Sequence, residues 1–271
     1  MEASSAFARV DAAFSSLRGE ALEDALKGIA AECASENGER SPLYAALCSE
    51  LGGYYRGRAR YAESEAEFLK AADIIHETRG GESPDYTTVL NNLAGTYRLM
   101  REYGKAESLF ARCIENYEKT LGTHHVLYAA GLNNYALVCL DEGDLTRAEE
   151  YLGRSAEVLA GLPECVAEYA SALSNQSALL LRLGRPADAV PLLETVVELF
   201  SSRLSRDTAH YHAALNSLGI ARMALGDDDA AAESFAAALR AAEDWYGADN
   251  PETREVRRNL EEAERRRREH I

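Results

Sequence analysis

A short sequence pattern recurs along this 271-residue chain at almost constant intervals. The copies are LNNLAGTY at 90, LNNYALVC at 132, LSNQSALL at 173 and LNSLGIAR at 215, with CSELGGYY at 48 and RRNLEEAE at 257 as further members. The spacing between copies is 41 or 42 residues. A repeat of this length buries its apolar face only against its neighbours, so the period predicts a stacked array of similar units.

A second recurring segment shows that each unit contains two helices. It reads YAESEAEFLKAA at 61, YGKAESLFARC at 103, LTRAEEYLGRS at 145, PADAVPLLETV at 186 and DDAAAESFAAA at 228. Alanine and leucine are abundant, whereas the alternation of β-branched residues that is typical of strands is scarce. Gly143, Gly184 and Gly226 occupy equivalent places between the two segments and indicate a short turn. The predicted fold class is all-α.

Capping signals define the ends of the units. Ser41-Pro42, Ser83-Pro84 and Asn250-Pro251 each place a capping residue before a proline at the first helical position. We therefore predict five repeats within 41–253, at about 41–82, 83–124, 125–166, 167–208 and 209–250, followed by a C-terminal capping helix at 254–271. Residues 1–40 are predicted to form a degenerate leading helix pair, with Val10 and Phe14 on the buried side of its first helix and Leu22, Leu26 and Ile29 in its second.

These units resemble the tetratricopeptide repeat (TPR) family. The matching residues in the second unit are Leu93, Ala94 and Tyr97 in the first helix and Tyr103, Ala106, Phe110 and Cys113 in the second. The long period, the LNN motif and the linkers at 121–128 and 246–253 resemble the kinesin-light-chain-type subfamily. The resemblance covers about residues 41–260 and implies a right-handed α-solenoid whose first helices line a concave groove.

The paired asparagines are the candidate binding residues. If Leu93 is numbered position 7 of its helix, the buried face carries Tyr86, Leu90, Leu93 and Tyr97, and positions 5 and 6 face the opposite side. In the TPR family, asparagines at such positions bind the main chain of a peptide, which implies this role for Asn91, Asn92, Asn133, Asn134, Asn175 and Asn216. In the alternative, these amides bond the neighbouring first helix and set the superhelical twist.

Other groove positions suggest what the ligand carries. Arg56, Arg98 and Arg182 suit carboxylates, and an apolar anchor suits Leu137, Leu140, Leu181, Ile220 and Met223. Acidic positions in the groove are few, namely Glu50 and Asp141. We therefore predict a peptide that carries one or more carboxylates. In the alternative, the arginines pair with acidic residues on adjacent helices.

Composition excludes several classes of function. A net charge of -16 argues against non-specific binding to nucleic acid or anionic membranes. The N-terminal segment has no apolar signal-peptide core and no apolar run reaches transmembrane length, so we expect a cytoplasmic protein without membrane contact. The histidines and scattered cysteines match no metal motif, and no nucleophile-base pair or phosphate loop is present.

The expected function is therefore protein–protein interaction, with no enzyme activity, cofactor or metal. The partner is an extended peptide or a helix of another protein, held in the concave groove. Two alternatives stay open: a structural scaffold that associates with itself as a homo-oligomer, and a peptide-sensing regulatory protein.

Overall fold

The two-helix unit of the sequence recurs in the computed structural model, which describes residues 1–205 and 208–269. Helices are the only regular secondary structure in these two ranges, which confirms the predicted all-α solenoid class. They are α1 (Ala3–Ser16), α2 (Gly19–Asn37), α3 (Pro42–Gly57), α4 (Tyr61–Arg79), α5 (Pro84–Leu99), α6 (Tyr103–Leu121), α7 (Val126–Glu142), α8 (Leu145–Ala160), α9 (Val166–Arg182), α10 (Pro186–Ser202), α11 (Ala209–Ala224), α12 (Asp228–Tyr246) and α13 (Pro251–Glu269).

The chain divides into two units, Met1–Glu142 and Gly143–Ile271. In the first unit each helix packs against the next, and α5 also contacts both α3 and α7. Contact between alternate helices places the first helices of successive pairs in one layer, as in a solenoid. In the second unit each helix again packs against the next, and α11 contacts both α9 and α13. The unit boundary falls inside the predicted repeat 125–166.

The predicted helix starts agree with the observed ones. Ser41 Oγ accepts a hydrogen bond from the Tyr44 amide at 3.2 Å, and Ser83 Oγ accepts one from Tyr86 at 3.3 Å. Asn250 Oδ1 accepts one from the Glu252 amide at 2.9 Å. Each cap satisfies a backbone N–H that has no partner within its own helix. The repeat boundaries themselves stay predictions, and residues 206, 207, 270 and 271 lie outside the described ranges.

The turn inside each repeat requires a left-handed backbone. Gly143, Gly184 and Gly226 have φ values of 84°, 69° and 79°. The two equivalent residues in the first unit are not glycine: Ala59 has a φ of 57° and Arg101 has a φ of 62°. Because a Cβ is unfavourable in this region, the first two repeats carry local strain that the later ones avoid.

Close approach of the two helices within a repeat depends on small residues. Ala106, Ala148, Ala189 and Ala231 are all fully buried. In the first repeat the equivalent residue is Ser64, whose Oγ donates to the Gly52 carbonyl at 2.8 Å. A hydroxyl is therefore tolerated at this contact because its hydrogen bond is satisfied internally.

The leading pair shares its buried core with residues of α3. Val10, Leu22, Leu26 and Ile29 are all buried there, as predicted. Phe14, which we predicted on the buried side of α1, is instead 39% exposed. Ala6, Val10 and Ala13 form the buried stripe of α1, and Phe14 lies at its solvent edge.

Candidate functional site

The two asparagines of an adjacent pair differ in exposure. Asn92 is half-buried, whereas Asn91 is only 9% exposed and its Oδ1 has no hydrogen-bond partner among the described residues. Adjacent residues on a helix lie about 100° apart, so one can face the neighbouring helices while the other stays accessible. The Asn92 side chain makes no hydrogen bond to any other described residue. Of this pair, Asn92 is thus the one available to a ligand.

The remaining predicted asparagines, Asn133, Asn134, Asn175 and Asn216, are also half-buried. Asn216 has a structural partner: Asn259 Nδ2 on α13 donates to Asn216 Oδ1 on α11 at 3.0 Å. Asn259 lies at position 6 of the last copy of the repeat, and Asn216 lies at position 5 of the copy before it. The alternative of a bond between neighbouring first helices therefore holds for this pair.

A cavity in the first unit, which we call the α3 cavity, lies beside Asn92. Its volume is about 280 Å³, and its wall includes residues of α1, α3, α4 and α5. The lining residues are Phe7, Pro42, Ala45, Ala46, Ser49, Glu50, Ile75, Arg79, Asp85, Thr88, Val89 and Asn92. Glu50 and Asn92 are equivalent residues, both at position 6 of their helices.

Two of the predicted arginines lie close together in the first unit. The half-buried Arg56 donates through Nη1 to the Asn92 carbonyl at 3.1 Å, and its guanidinium lies 5.8 Å from the centre of the Phe68 ring. Burial, and secondarily the charge of Arg98, lower the pKa of Arg56. No carboxylate of the described residues lies within ion-pair distance of Arg56. Arg98 Nη1 instead pairs with Asp141 Oδ2 at 2.9 Å, as in the alternative for the arginines.

The second unit contains a larger cavity, the α9 cavity, of about 450 Å³. It is lined by Ala167, Ala170, Ser171, Ser174, Asn175, Phe200, Leu204, Ser205, Thr208 and His210. Ser174 and Asn175 occupy positions 5 and 6 of α9, so residues of the asparagine pattern line this cavity too. Ser174 Oγ donates to the Ala170 carbonyl at 2.7 Å, which satisfies the hydroxyl within the helix.

The predicted apolar anchor is divided between the two units. Leu137 and Leu140 are half-buried in α7 of the first unit. In the second unit, Leu181 and Met223 pack against core clusters, and Ile220 is 36% exposed. Arg182, at the end of α9, is exposed.

Sequence reasoning missed the aromatic walls of both cavities. Phe7 belongs to α1, and Phe200 lies near the end of α10, so neither is on a first helix of the five full repeats. Their places depend on which helices meet, which a single helical wheel does not contain. Across the described part of the chain, no group of three His, Cys, Asp or Glu residues has metal-site geometry. None of the helices in the described ranges has the length and apolar character needed to cross a membrane.

Comparison with known proteins identifies the repeat. A sequence profile of the tetratricopeptide repeat matches residues 43–119, 86–160 and 127–202. A search of curated protein sequences gave no match to this chain. Among solved structures, a Podosopora anserina protein named after kinesin light chain, with nearly identical TPR-like repeats, is similar with a TM-score of 0.62 and 21% identity, over 74% of this chain and 96% of that one.

Two further structures share the fold. Yeast Tom70 is similar with a TM-score of 0.68 and 15% identity, over 98% of this chain and 47% of Tom70. A Rap protein complexed with Competence and Sporulation Factor has a TM-score of 0.67 and 16% identity, over 90% of this chain and 69% of that one. The fold is thus similar to that of a protein named after kinesin light chain, in agreement with the resemblance seen in the sequence. The profile of the tetratricopeptide repeat matches more than half of the residues. The chain belongs to the tetratricopeptide repeat family.

Proposed function

We propose that this chain is a protein-interaction scaffold that holds an extended segment or a helix of a partner protein against its first helices. The observation that carries the proposal is the meeting of position-6 amides with cavities, at Asn92 in the first unit and at Asn175 in the second. No catalytic step, cofactor or nucleic acid is part of this proposal, and the proposed setting is the cytoplasm.

Asn92 is the best-supported contact for a peptide main chain. An amide side chain offers donors and an acceptor, which match the N–H and C=O groups of an extended backbone. The Asn92 main-chain carbonyl accepts a hydrogen bond from Arg56, which ties α5 to α3 beside the cavity. The side-chain amide has no partner among the described residues, so a ligand would not have to displace one.

The α9 cavity supports an apolar anchor beside Asn175. Ala167, Ala170, Phe200 and Leu204 supply apolar surface, and the cavity volume of about 450 Å³ lies within the range of roughly 300–1,000 Å³ that is usual for ligand pockets. A partner side chain buried there would exclude water from the adjacent amide contact. We therefore assign the apolar anchor of the partner to this cavity.

Arg56 supports an acidic residue in the partner. Its guanidinium is half-buried and forms no ion pair with a carboxylate of the described residues. Arg98 adds a second positive charge nearby. Arginine stays protonated even with a lowered pKa and binds carboxylates in a bidentate geometry. Arg98 contributes less because Asp141 already neutralises it.

The Rap protein structure, which contains Competence and Sporulation Factor, gives an example of this fold in complex with a partner. By analogy, we propose that the partner of the present chain is a protein or peptide. Light scattering across a dilution series tests the alternative of self-association. If the molecular mass rises with protein concentration and falls when a selected peptide is added, self-association and peptide binding use the same surface.

The direct test is selection from a displayed library of random 12-residue peptides on the full chain. Dissociation constants of enriched peptides are then measured by fluorescence anisotropy for the wild type, Asn92→Ala and Asn175→Ala. Each variant should weaken binding by about 2- to 10-fold, the value of one net hydrogen bond. Asn116→Ala on α6 is the control for losing a structural amide outside the proposed surface, since Asn116 Nδ2 donates to the Glu82 carbonyl at 3.0 Å. The proposal would be refuted if no peptide were enriched from the library, or if the dissociation constants were the same for all four proteins.

A further inference from the structure

The first repeat has neither asparagine of the pattern, and its residue at position 6 is charged. Position 6 is Asn92, Asn134 and Asn175 in the next three repeats, and it is Glu50 in the first. Glu50 is half-buried in the wall of the α3 cavity, in the same face as Asn92. A carboxylate, which only accepts hydrogen bonds, thus replaces an amide at position 6 of the first repeat.

Glu50 has no compensating charge. Its carboxylate makes no hydrogen bond or ion pair with any residue in 1–205 or 208–269, and Asp11 on α1 is close enough to repel it. Burial, and then the charge of Asp11, raise the pKa of Glu50. Ser49 Oγ, on the preceding residue, is also buried without a hydrogen-bond partner in the described structure. The cavity therefore contains unmatched acceptor groups.

Two other shielded or cavity-lining acidic groups in this unit are paired. The shielded carboxylate of Glu23 is bound by Lys27 at 2.7 Å and Arg60 at 2.5 Å. Hydrogen bonds from these two cations lower the pKa of Glu23 to about 2, in contrast with Glu50. Asp85, the second acidic residue in the cavity wall, is paired with Arg79. The missing partner of Glu50 is thus a local feature and not a general shortage of cations.

The rest of the wall suits the stem of a long side chain. Ala45, Ala46, Ile75 and Val89 provide apolar surface, and Phe7 is 36% exposed. A volume of about 280 Å³ lies just below the range of roughly 300–1,000 Å³ for small-molecule pockets, so one side chain is a better match than a whole ligand. An aromatic ring in such a wall also attracts a cation to its face.

We infer that the α3 cavity receives an arginine side chain of the partner, whose guanidinium binds the Glu50 carboxylate while its methylene groups contact Ala46 and Val89. This inference deepens the proposed function and rests on it, because the arginine is taken to belong to the partner protein or peptide proposed above. The planar guanidinium has five N–H donors, so it can bind the carboxylate in a bidentate geometry and still lie against Phe7. A lysine ammonium would bind as a point charge without this match.

Other occupants fit less well. A metal ion needs several oxygen ligands, and the described cavity wall offers one unpaired carboxylate. An anionic group would add a third negative charge to Glu50 and Asp11. A neutral apolar side chain would leave the half-buried carboxylate unpaired and further desolvated.

Glu50 and Arg56 together give the ligand a direction. They lie six residues apart on α3, about 9 Å along the axis at 1.5 Å per residue. An extended peptide spans this distance in about three residues at roughly 3.3 Å each. Because the two positions also differ by about 120° around α3 at roughly 100° per residue, a partner should carry an arginine and an acidic residue about two to four positions apart.

The first experiment tests the cavity without a peptide. Nα-acetyl-arginine methylamide is titrated into the full chain, and binding is followed by NMR shifts of the Ala45, Ala46 and Val89 methyl groups. Nα-acetyl-citrulline methylamide is the neutral isostere. The arginine probe should bind at least about tenfold more tightly than citrulline, the effect of one hydrogen bond to a charged group. The preference should disappear in Glu50→Gln and persist in Glu115→Gln, the same change on the exposed face of α6.

The second experiment separates this inference from the proposed function. Peptides are selected from the random library on the wild type and on Glu50→Gln. Arginine at a fixed position should be enriched only on the wild type. Peptides selected equally by both proteins, with no arginine preference and no probe binding, would overturn the inference and leave the scaffold function in place. If the arginine probe binds at Glu50 but no peptide is selected, the cation site is supported and the claim that a peptide supplies the arginine is refuted.

Discussion

The side-chain amide of Asn259 on α13 donates a hydrogen bond to the side-chain oxygen of Asn216 on α11, with 3.0 Å between the two atoms. α11 is the first helix of the last predicted repeat and α13 is the capping helix that follows it, so this bond joins the repeat to its cap. It shows that a residue pattern typical of a binding groove also serves the stacking of the array. Binding and stability therefore need separate measurements at each asparagine.

The bond between Asn216 and Asn259 should be measurable as a coupling energy. Asn216→Ala and Asn259→Ala should each lower the free energy of unfolding by about 1 kcal/mol, since each leaves one polar group without its partner. In a double-mutant cycle, the second change should add little to the first. Urea denaturation provides the measurement. Asn92→Ala is the control and should stay within about 0.5 kcal/mol of the wild type. Strictly additive losses at 216 and 259 would contradict the coupling.

Glycine should relieve strain in the first two intra-repeat turns. Ala59 and Arg101 have left-handed backbone angles, a conformation that disfavours a Cβ by about 1–2 kcal/mol. Part of this gain is lost to the greater entropy of glycine in the unfolded chain. Ala59→Gly and Arg101→Gly should therefore stabilise the protein by about 0.5–1 kcal/mol in urea denaturation.

The control for these turns is Ala111→Gly on the exposed side of α6, where the backbone is helical. That change should destabilise the protein by about 1 kcal/mol, the usual penalty for glycine in a helix. If all three substitutions lower stability to a similar extent, the strain assigned to the turns is absent.

Two helical glycines should respond to alanine in opposite directions. A Cβ on Gly219 would lie 2.6 Å from the Phe235 ring, whereas a Cβ on Gly53 would meet nothing within 4 Å. Gly219→Ala should therefore destabilise the protein by about 1–3 kcal/mol through overpacking. Gly53→Ala should stabilise α3 by about 0.5–1 kcal/mol. Thermal melts of the two variants check the sign of each change, and equal melting temperatures would contradict the packing at Phe235.

Acidification should weaken the C-terminal part of the second unit. His212 is 5% exposed, its ring lies 5.1 Å from that of Tyr246, and its Nδ1 has no partner within the described residues. Burial, opposed by Glu252 and reinforced by His210, holds the pKa of His212 below 6.5. The unfolded chain then binds more protons than the folded one near and below pH 6.5, so stability falls as the pH decreases from about 7 to 5.

The contribution of His212 is isolated by comparing variants across this pH range. The melting temperature should fall less steeply in His212→Phe, which keeps an aromatic ring beside Tyr246, than in the wild type. His124→Gln, a change at an exposed position, should leave the slope unaltered. A His212→Phe protein with the wild-type slope would assign the pH dependence to other groups.

Much of the local structure is predictable because it depends on neighbours along the chain. Serine before proline identifies the starts of α3 and α5, and the small residue at 106 identifies the close contact of two helices. The period likewise identifies the pairs that stack. By contrast, the predicted burial of Phe14 was wrong. The helical period places Phe14 at the edge of the apolar stripe of α1, and only the packing of neighbouring helices decides how wide the buried part of that stripe is.

The amino-acid sequence by itself determined the helix pairs, their order and the face on which asparagines recur, because these follow from spacing along one chain. Tertiary structure alone decided that Asn91 is buried and Asn92 accessible, that Arg98 is neutralised by Asp141, and that Glu50 has no cation. Those outcomes depend on distances between residues of different helices. Helical periodicity fixes the direction of a side chain around its own axis, and only the packing of the axes fixes what that side chain meets.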